Sequence, residues 1–314
     1  MTGMGWAFIG SGRIANIVAN QIVNGRQHTI VSVFSRNIST AQVFADKYGG
    51  IVCDTFEEAV FNENVNAVYI ATPNDSHYKY VIKALEFKKP VLCEKPLGMT
   101  LEQVRTMTSV AKKNATYLAE GMWTWFNPTA NTVQEWINGG KIGKIKSVKG
   151  SLCMNAMRYK GSNSRYFDPK QGGSLYDLGV YGIAFMVKLF GKPNVLKCTG
   201  KEEDGVEIRE SIHLQYDGFR CRLKSGFDSN STGLYIFGNK GVVILPSFWN
   251  ASKAYCISSS GVYKISKNAS YLYEFNTVSH EIAMGKRQSD YMDHTTSLCV
   301  AELLDECRRQ LKYD

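Results

Sequence analysis

With 314 residues, 44% of them hydrophobic and 12% aromatic, the chain has the material for two well-buried domains and not the composition of a disordered segment. Its formal charge of +9 is dispersed, without a dense basic arm, which argues against a nucleic-acid partner and suits an anionic cofactor or substrate. No apolar run reaches the roughly 18 to 20 residues needed to cross a bilayer, and eight cysteines standing singly, without metal-ligand spacing, predict reduced thiols in a cytoplasmic protein with no metal site.

The N-terminus, MTGMGWAFIGSGRIA, lacks a basic leader region and reads as a first strand. WAFIG (6–10), TIVSVF (29–34), GIVCD (50–54), NAVYIA (66–71), PVLCE (90–94) and TYLAE (116–120) are short apolar runs. Between them lie segments such as RIANIVANQIV, TAQVFADKYG and HYKYVIKALEF, with apolar residues three and four apart. Strands alternating with helices of this length predict right-handed crossovers and a doubly wound parallel sheet, a Rossmann domain over residues 1–121.

Beyond residue 121 the pattern changes. One helix is expected from Pro128 to Gly139-Gly140 and a second over about 174–190, ending at Gly191. The period then switches to two: VEIRESIHLQY, FRCRLKSGF, LYIFGNKGVVIL, AYCISSSGVYKI and YLYEF predict a largely antiparallel open sheet with turns at GNKG and SSSG. One face of that sheet must be covered, by helices or by another subunit. An amphipathic helix, SLCVAELLDECRRQL, closes an α+β domain over residues 122–314.

Gly10-Ser11-Gly12-Arg13-Ile14-Ala15 follows the first strand and opens a helix, which is the GxGxxA form of a dinucleotide fingerprint. Gly10 permits the tight turn, Gly12 lets a pyrophosphate approach the backbone, and Ala15 lets helix and strand pack closely. The N–H groups of the first helical turn, at Arg13 and Ile14, face the phosphates. The second strand ends Phe34-Ser35-Arg36-Asn37, with no acid to hold a ribose 2′-hydroxyl and a guanidinium able to pair with a 2′-phosphate or stack on adenine. NADP is favoured over NAD.

The fourth strand runs into Ala71-Thr72-Pro73-Asn74-Asp75-Ser76-His77, and ligands of open parallel sheets sit at such strand ends. Thr72, Asn74 and His77 are cofactor candidates there; Asn74 or Asp75 equally suits a helix cap, and His77 a surface position. The fifth strand ends Glu94-Lys95-Pro96 on the same rim. Neighbours in an extended segment point to opposite sides, so Glu94 and Lys95 are not expected to pair, and one of them can face the cleft. Together GxGxxA, ATPNxxH and EKP, in this order and at these separations, resemble the Gfo/Idh/MocA family of NAD(P)-dependent oxidoreductases of sugars, cyclitols and related diols. The resemblance spans the chain and implies that Lys95 is the catalytic lysine and that the Lys95-Pro96 bond is cis.

Gly172-Gly173-Ser174 leads into Leu175-Tyr176-Asp177-Leu178-Gly179-Val180-Tyr181, and a helix there puts Asp177 and Tyr181 on one face. A carboxylate and a phenol aimed into one cleft with a lysine make a proton-transfer set, and an amphipathic helix with a half-buried Tyr181 is the plainer alternative. Family members commonly carry D-x-G-x-H here; Asp177-x-Gly179-x-Tyr181 resembles the subset with tyrosine, which implies Tyr181 as acid/base. GMWTWFNP (121–128) is similar to that subset's aromatic segment, either lining a sugar site or packing in the core. Arg165 is a further cofactor candidate by loose resemblance. The implied protein is a homodimer or dimer of dimers acting on a polyol or sugar. A cofactor-binding regulator and a nicotinamide-dependent glycoside hydrolase are the competing classes.

Overall fold

Residues 3–25, 27–162 and 164–311 are described by the computed structural model. They group into two compact units: the chain up to Trp123 together with Ser270–His294, and Thr124–Ala269 together with the chain from Thr295. A linear division after residue 121 assigns Ser270–His294 to the second domain, whereas this stretch packs with the first unit.

In the first unit β1 (Met4–Ile9), β2 (His28–Phe34), β3 (Ile51–Cys53), β4 (Ala67–Ile70), β5 (Val91–Glu94) and β6 (Leu118–Gly121) form a six-stranded sheet. Its order is β3-β2-β1-β4-β5-β6 and every pairing is parallel. Strand order reverses between β1 and β4, the place where open α/β sheets hold ligands. The crossovers are α1 (Arg13–Asn24), α2 (Ile38–Tyr48), α3 (Phe56–Phe61), α4 (His77–Glu86) and α5 (Leu101–Lys113). Strands covered on both faces read as unbroken apolar runs, and β1, β4 and β5 are buried almost throughout for that reason.

In the second unit α6 (Pro128–Asn138) begins with its proline at the first helical position. It is followed by β7 (Ile145–Cys153), α7 (Val180–Phe190), β8 (Val195–Glu203), β9 (Val206–Tyr216), β10 (Phe219–Gly226), β11 (Ser231–Gly238), β12 (Gly241–Leu245), β13 (Lys253–Ser258) and β14 (Gly261–Ser266). These strands form an eight-stranded sheet of order β14-β13-β12-β11-β7-β10-β9-β8, antiparallel except for β7 with β10. Strands β7 and β8 are additions to the sequence expectation. Ahead of α7, Leu175–Gly179 is a π turn, so the expected helix over 174–190 has two geometries.

YLYEF does not extend the second sheet as its alternation suggests; it opens α8 (Leu272–Ala283) in the first unit. Phe275 on this helix is fully buried, with its ring 4.6 Å from Trp6 and 5.1 Å from Tyr69. Burying such a ring contributes about 1.5–3 kcal/mol, which pins α8 to the parallel sheet. The chain's last described element is α9 (His294–Leu311).

Candidate active site

A cavity of about 220 Å³ opens at the strand-order reversal of the first unit, lined by Gly10, Ser11 and Gly12, by Ser35, Arg36 and Thr40, and by Thr72 among others. Gly10 has φ +107°, and a Cβ there would stand 2.6 Å from the Ala71 carbonyl oxygen, so turn and strand packing both require glycine. Gly12 is the N-cap of α1, and a side chain starting there would meet nothing within 4 Å. Protein packing therefore leaves the space above Gly12 open at the N-terminus of α1, where no side chain caps the helix. Asn16 holds the loop from below, donating from Nδ2 to the Ser11 and Gly12 carbonyls at 3.0 and 2.9 Å.

On the other side of the cavity Ser11 and Thr40 hydroxyls are 2.8 Å apart, and Asn37 caps α2 by accepting from the Ser39 and Thr40 amides. Arg36 is exposed and is the only charged residue in the lining. Thr72 Oγ1 is buried with no hydrogen-bond partner among the described residues. An open glycine cradle, an orphaned hydroxyl, a guanidinium and no acid form a donor set that fits a dinucleotide carrying a 2′-phosphate.

At the end of β5 stand Glu94 and Lys95. The Glu94 side chain is buried and accepts from the Tyr69 hydroxyl at 2.7 Å. Glu274 of α8 is fully buried behind it, and neither of its carboxylate oxygens has a hydrogen-bond partner among the described residues. Burial, reinforced by the neighbouring Glu94 charge, holds the Glu274 carboxyl well above the usual carboxylate range. Lys95 is half-buried and the Lys95-Pro96 bond is cis.

His77 is neither on the surface nor open to a ligand. It is fully buried, with Nδ1 2.9 Å from the Pro96 carbonyl oxygen and Nε2 3.0 Å from that of Thr72. Burial lowers its pKa against the pull of those two carbonyls, and a neutral ring has one N–H to serve them. Its place is thus as a clamp between the loops after β4 and β5. Glu120 adds a second tie, accepting from the Leu97 amide at 3.1 Å. Neither Asn74 nor Asp75 caps α4: Ser76 stands at the N-cap, and its hydroxyl goes to the Pro73 carbonyl.

In the second unit the π turn carries Asp177, which is half-buried, and α7 carries Tyr181, 8% exposed. A π turn is a common local device at functional sites, because the widened turn re-aims its side chains. Arg165 meets Asp177 rather than standing alone, with Nη2 3.1 Å from Oδ1. This ion pair fixes the carboxylate and covers part of its charge. Of the aromatic segment, Trp123 is stacked on Tyr271 at 4.4 Å in the first unit, and Trp125 lies against Phe185 at 4.7 Å in the second. Both tryptophans are buried, so the segment serves the cores.

Two sequence profiles match the chain. One, described as an oxidoreductase family with an NAD-binding Rossmann fold, covers residues 4–122, and the other, a GFO/IDH/MocA C-terminal domain, covers residues 130–244. The chain is 28% identical to mouse trans-1,2-dihydrobenzene-1,2-diol dehydrogenase over 98% of this chain and 96% of that one. It is 27% identical to the NADP(+) scyllo-inositol 2-dehydrogenase of Bacillus subtilis strain 168 with the same coverage. Among solved structures, aldose-aldose oxidoreductase from Caulobacter crescentus, complexed with glycerol, shares the fold with a TM-score of 0.89 at 18% identity, over 99% of this chain and 98% of that one.

Proposed function

This chain belongs to the Gfo/Idh/MocA family of NAD(P)-dependent oxidoreductases, and on that premise we propose that it is an NADP(H)-dependent dehydrogenase or reductase of a hydroxyl-bearing carbon in a sugar, cyclitol or related diol. The observation that carries the reading is the cavity at the strand-order reversal, with its open Gly12, orphaned Thr72 hydroxyl and single charge, Arg36. The bound nicotinamide supplies a hydride donor or acceptor; the chain supplies everything else.

Gly10, Gly12 and the first turn of α1 at Arg13 and Ile14 receive the pyrophosphate, and Ser35 and Arg36 receive the 2′-phosphate. Thr72 and Asn74 flank the cofactor on the rim after β4. In this reading Tyr181 exchanges the substrate hydroxyl proton, Lys95 assists proton transfer from the rim after β5, and Asp177, ion-paired with Arg165, directs the substrate hydroxyl. A lysine, a phenol and a carboxylate retained together favour an enzyme over a sensor. The test is a panel of polyols, aldoses and cyclic diols assayed with NADP and with NAD. Turnover of at least one, faster with NADP, supports the reading; tight NADPH binding with no turnover on any of them makes the chain a sensor.

We also infer a homodimer in a reducing cytoplasmic setting. Support for the dimer comes from the outer face of the eight-stranded sheet, where Tyr235, Phe237, Ile257 and Val262 are exposed. Phe237 opposes Val242, Val242 opposes Ile257, and Ile257 opposes Val262, so these side chains form one stripe across four strands. A contiguous apolar stripe on an open sheet is a partner surface. Light scattering on Val262→Lys combined with Ile257→Glu should report a monomer of half the wild-type mass; an unchanged mass contradicts the dimer.

A further inference from the structure

In β9 the even positions Val206, Ile208, Ile212, Leu214 and Tyr216 are all buried, and Glu210 occupies the same inward stripe. It is 3% exposed and directly opposes Ser225 of β10. A carboxyl in an apolar stripe persists only if its hydrogen bonds are met. Glu210 Oε1 lies 2.6 Å from Ser174 Oγ, and Oε2 accepts from the Ser225 hydroxyl. Ser174 Oγ is also 3.0 Å from the Glu207 carbonyl oxygen.

Hydrogen counting then decides the state of the acid. The Ser174 hydroxyl has one hydrogen and faces two acceptors if Glu210 is ionised, leaving one unserved. A neutral Glu210 removes the shortfall: its O–H donates to Ser174, Ser174 donates to the Glu207 carbonyl, and Ser225 donates to the other carboxyl oxygen. All three contacts are then filled.

These serines are not arbitrary positions. Ser174 immediately precedes the π turn Leu175–Gly179, and its hydroxyl makes no cap bond to that turn. Ser225 lies at the other end, where a Cβ on Gly179 would stand 2.9 Å from Ser225 Oγ. We propose that Glu210 is a positioning residue: a neutral carboxylic acid that braces both ends of the π turn and so sets where Asp177 and, one turn on, Tyr181 stand. The inference rests on the functional reading above only for the meaning of those two side chains.

The surroundings agree with the hydrogen count. Burial pushes the Glu210 carboxyl up to about 8, against the two serine hydrogen bonds, and the Glu207 and Asp228 charges push it the same way. Glu207 pairs with Arg308 of α9 at 3.0 Å and Asp228 with Arg209 at 3.2 Å, and Cys307 of α9 is a further titratable neighbour. An acid whose folded pKa is raised holds its proton in the fold between its unfolded and folded values. Local opening therefore becomes easier as pH rises through that window and levels off above it.

The experiment is amide hydrogen exchange of residues 175–181 in the unliganded protein against pH, with Glu210→Gln alongside and intrinsic rates divided out. In the wild type, protection should fall by up to roughly tenfold per pH unit between about pH 5 and pH 8 and then level, while Glu210→Gln stays flat. In turnover, the wild-type alkaline limb of kcat near pH 8 should vanish in Glu210→Gln with KM little changed. Superimposable exchange profiles overturn the inference whatever the kinetics. If Glu210→Gln does not fold, a wild-type profile without the fall overturns it as well. Exchange that behaves as stated in a protein that turns over no polyol upholds the brace and removes the enzymatic reading.

Discussion

Replacing Arg36 by Ala separates the 2′-phosphate from the rest of the cofactor. Among the described residues that line the cavity Arg36 is the sole charged one, and none is an acid able to hold an NAD-type ribose. A charge-assisted hydrogen bond to a phosphate contributes about 1.5–3 kcal/mol, and the exposure of Arg36 places it at the low end of that range. The expected loss in NADPH affinity is therefore roughly tenfold to thirtyfold, with NADH affinity changed by less than about twofold. Quenching titrations at low and at physiological ionic strength measure both. The gap between NADPH and NADH should narrow as salt shortens the Debye length to about 8 Å. Equal weakening of NADPH and NADH would refute the assignment of Arg36 to the 2′-phosphate.

Other substitutions probe the supports of the site. Glu274→Met replaces a buried, unbonded carboxyl by an apolar chain of similar size and should stabilise the protein by about 1–3 kcal/mol at neutral pH. Because the folded Glu274 carboxyl titrates above the usual range, wild-type stability falls with rising pH above the unfolded carboxylate value, so the gain should shrink towards about pH 4. Denaturant melts across pH that show no advantage for Glu274→Met contradict this. His77→Leu removes the single ring N–H shared between the Pro96 and Thr72 carbonyls and should cost about 1–2 kcal/mol of stability. An unchanged melting temperature rules out the clamp.

Much of this was legible in the residues, and the exceptions have physical causes. Strands β1 to β6 showed because a sheet covered on both faces writes apolar runs into the sequence. Helix α8 did not show, because its buried face carries Glu274 and Glu281 beside Phe275 and Val278, so carboxylates interrupt the apolar stripe. Strand β8 has a single buried residue, Cys198, and hence no alternation to read. The burial of His77 was readable: it begins the stripe His77, Tyr80, Val81, Ala84 and Leu85 on α4. The Arg165–Asp177 pair and the π turn leave no local signal. Each depends on contacts or turn geometry that neither spacing nor composition encodes.

The central proposal is that Lys95 and Tyr181 serve proton transfer at the substrate hydroxyl, with a bound nicotinamide as what would supply the hydride chemistry. Its most direct test is cofactor absorbance during turnover of the best substrate in the panel, comparing wild type, Lys95→Ala and Tyr181→Phe at matched NADPH occupancy. A lost acid/base group should lower kcat by about 10²–10⁴ while the NADPH Kd changes little. Turnover by Lys95→Ala and Tyr181→Phe at the wild-type rate, with NADPH still bound, would contradict the account.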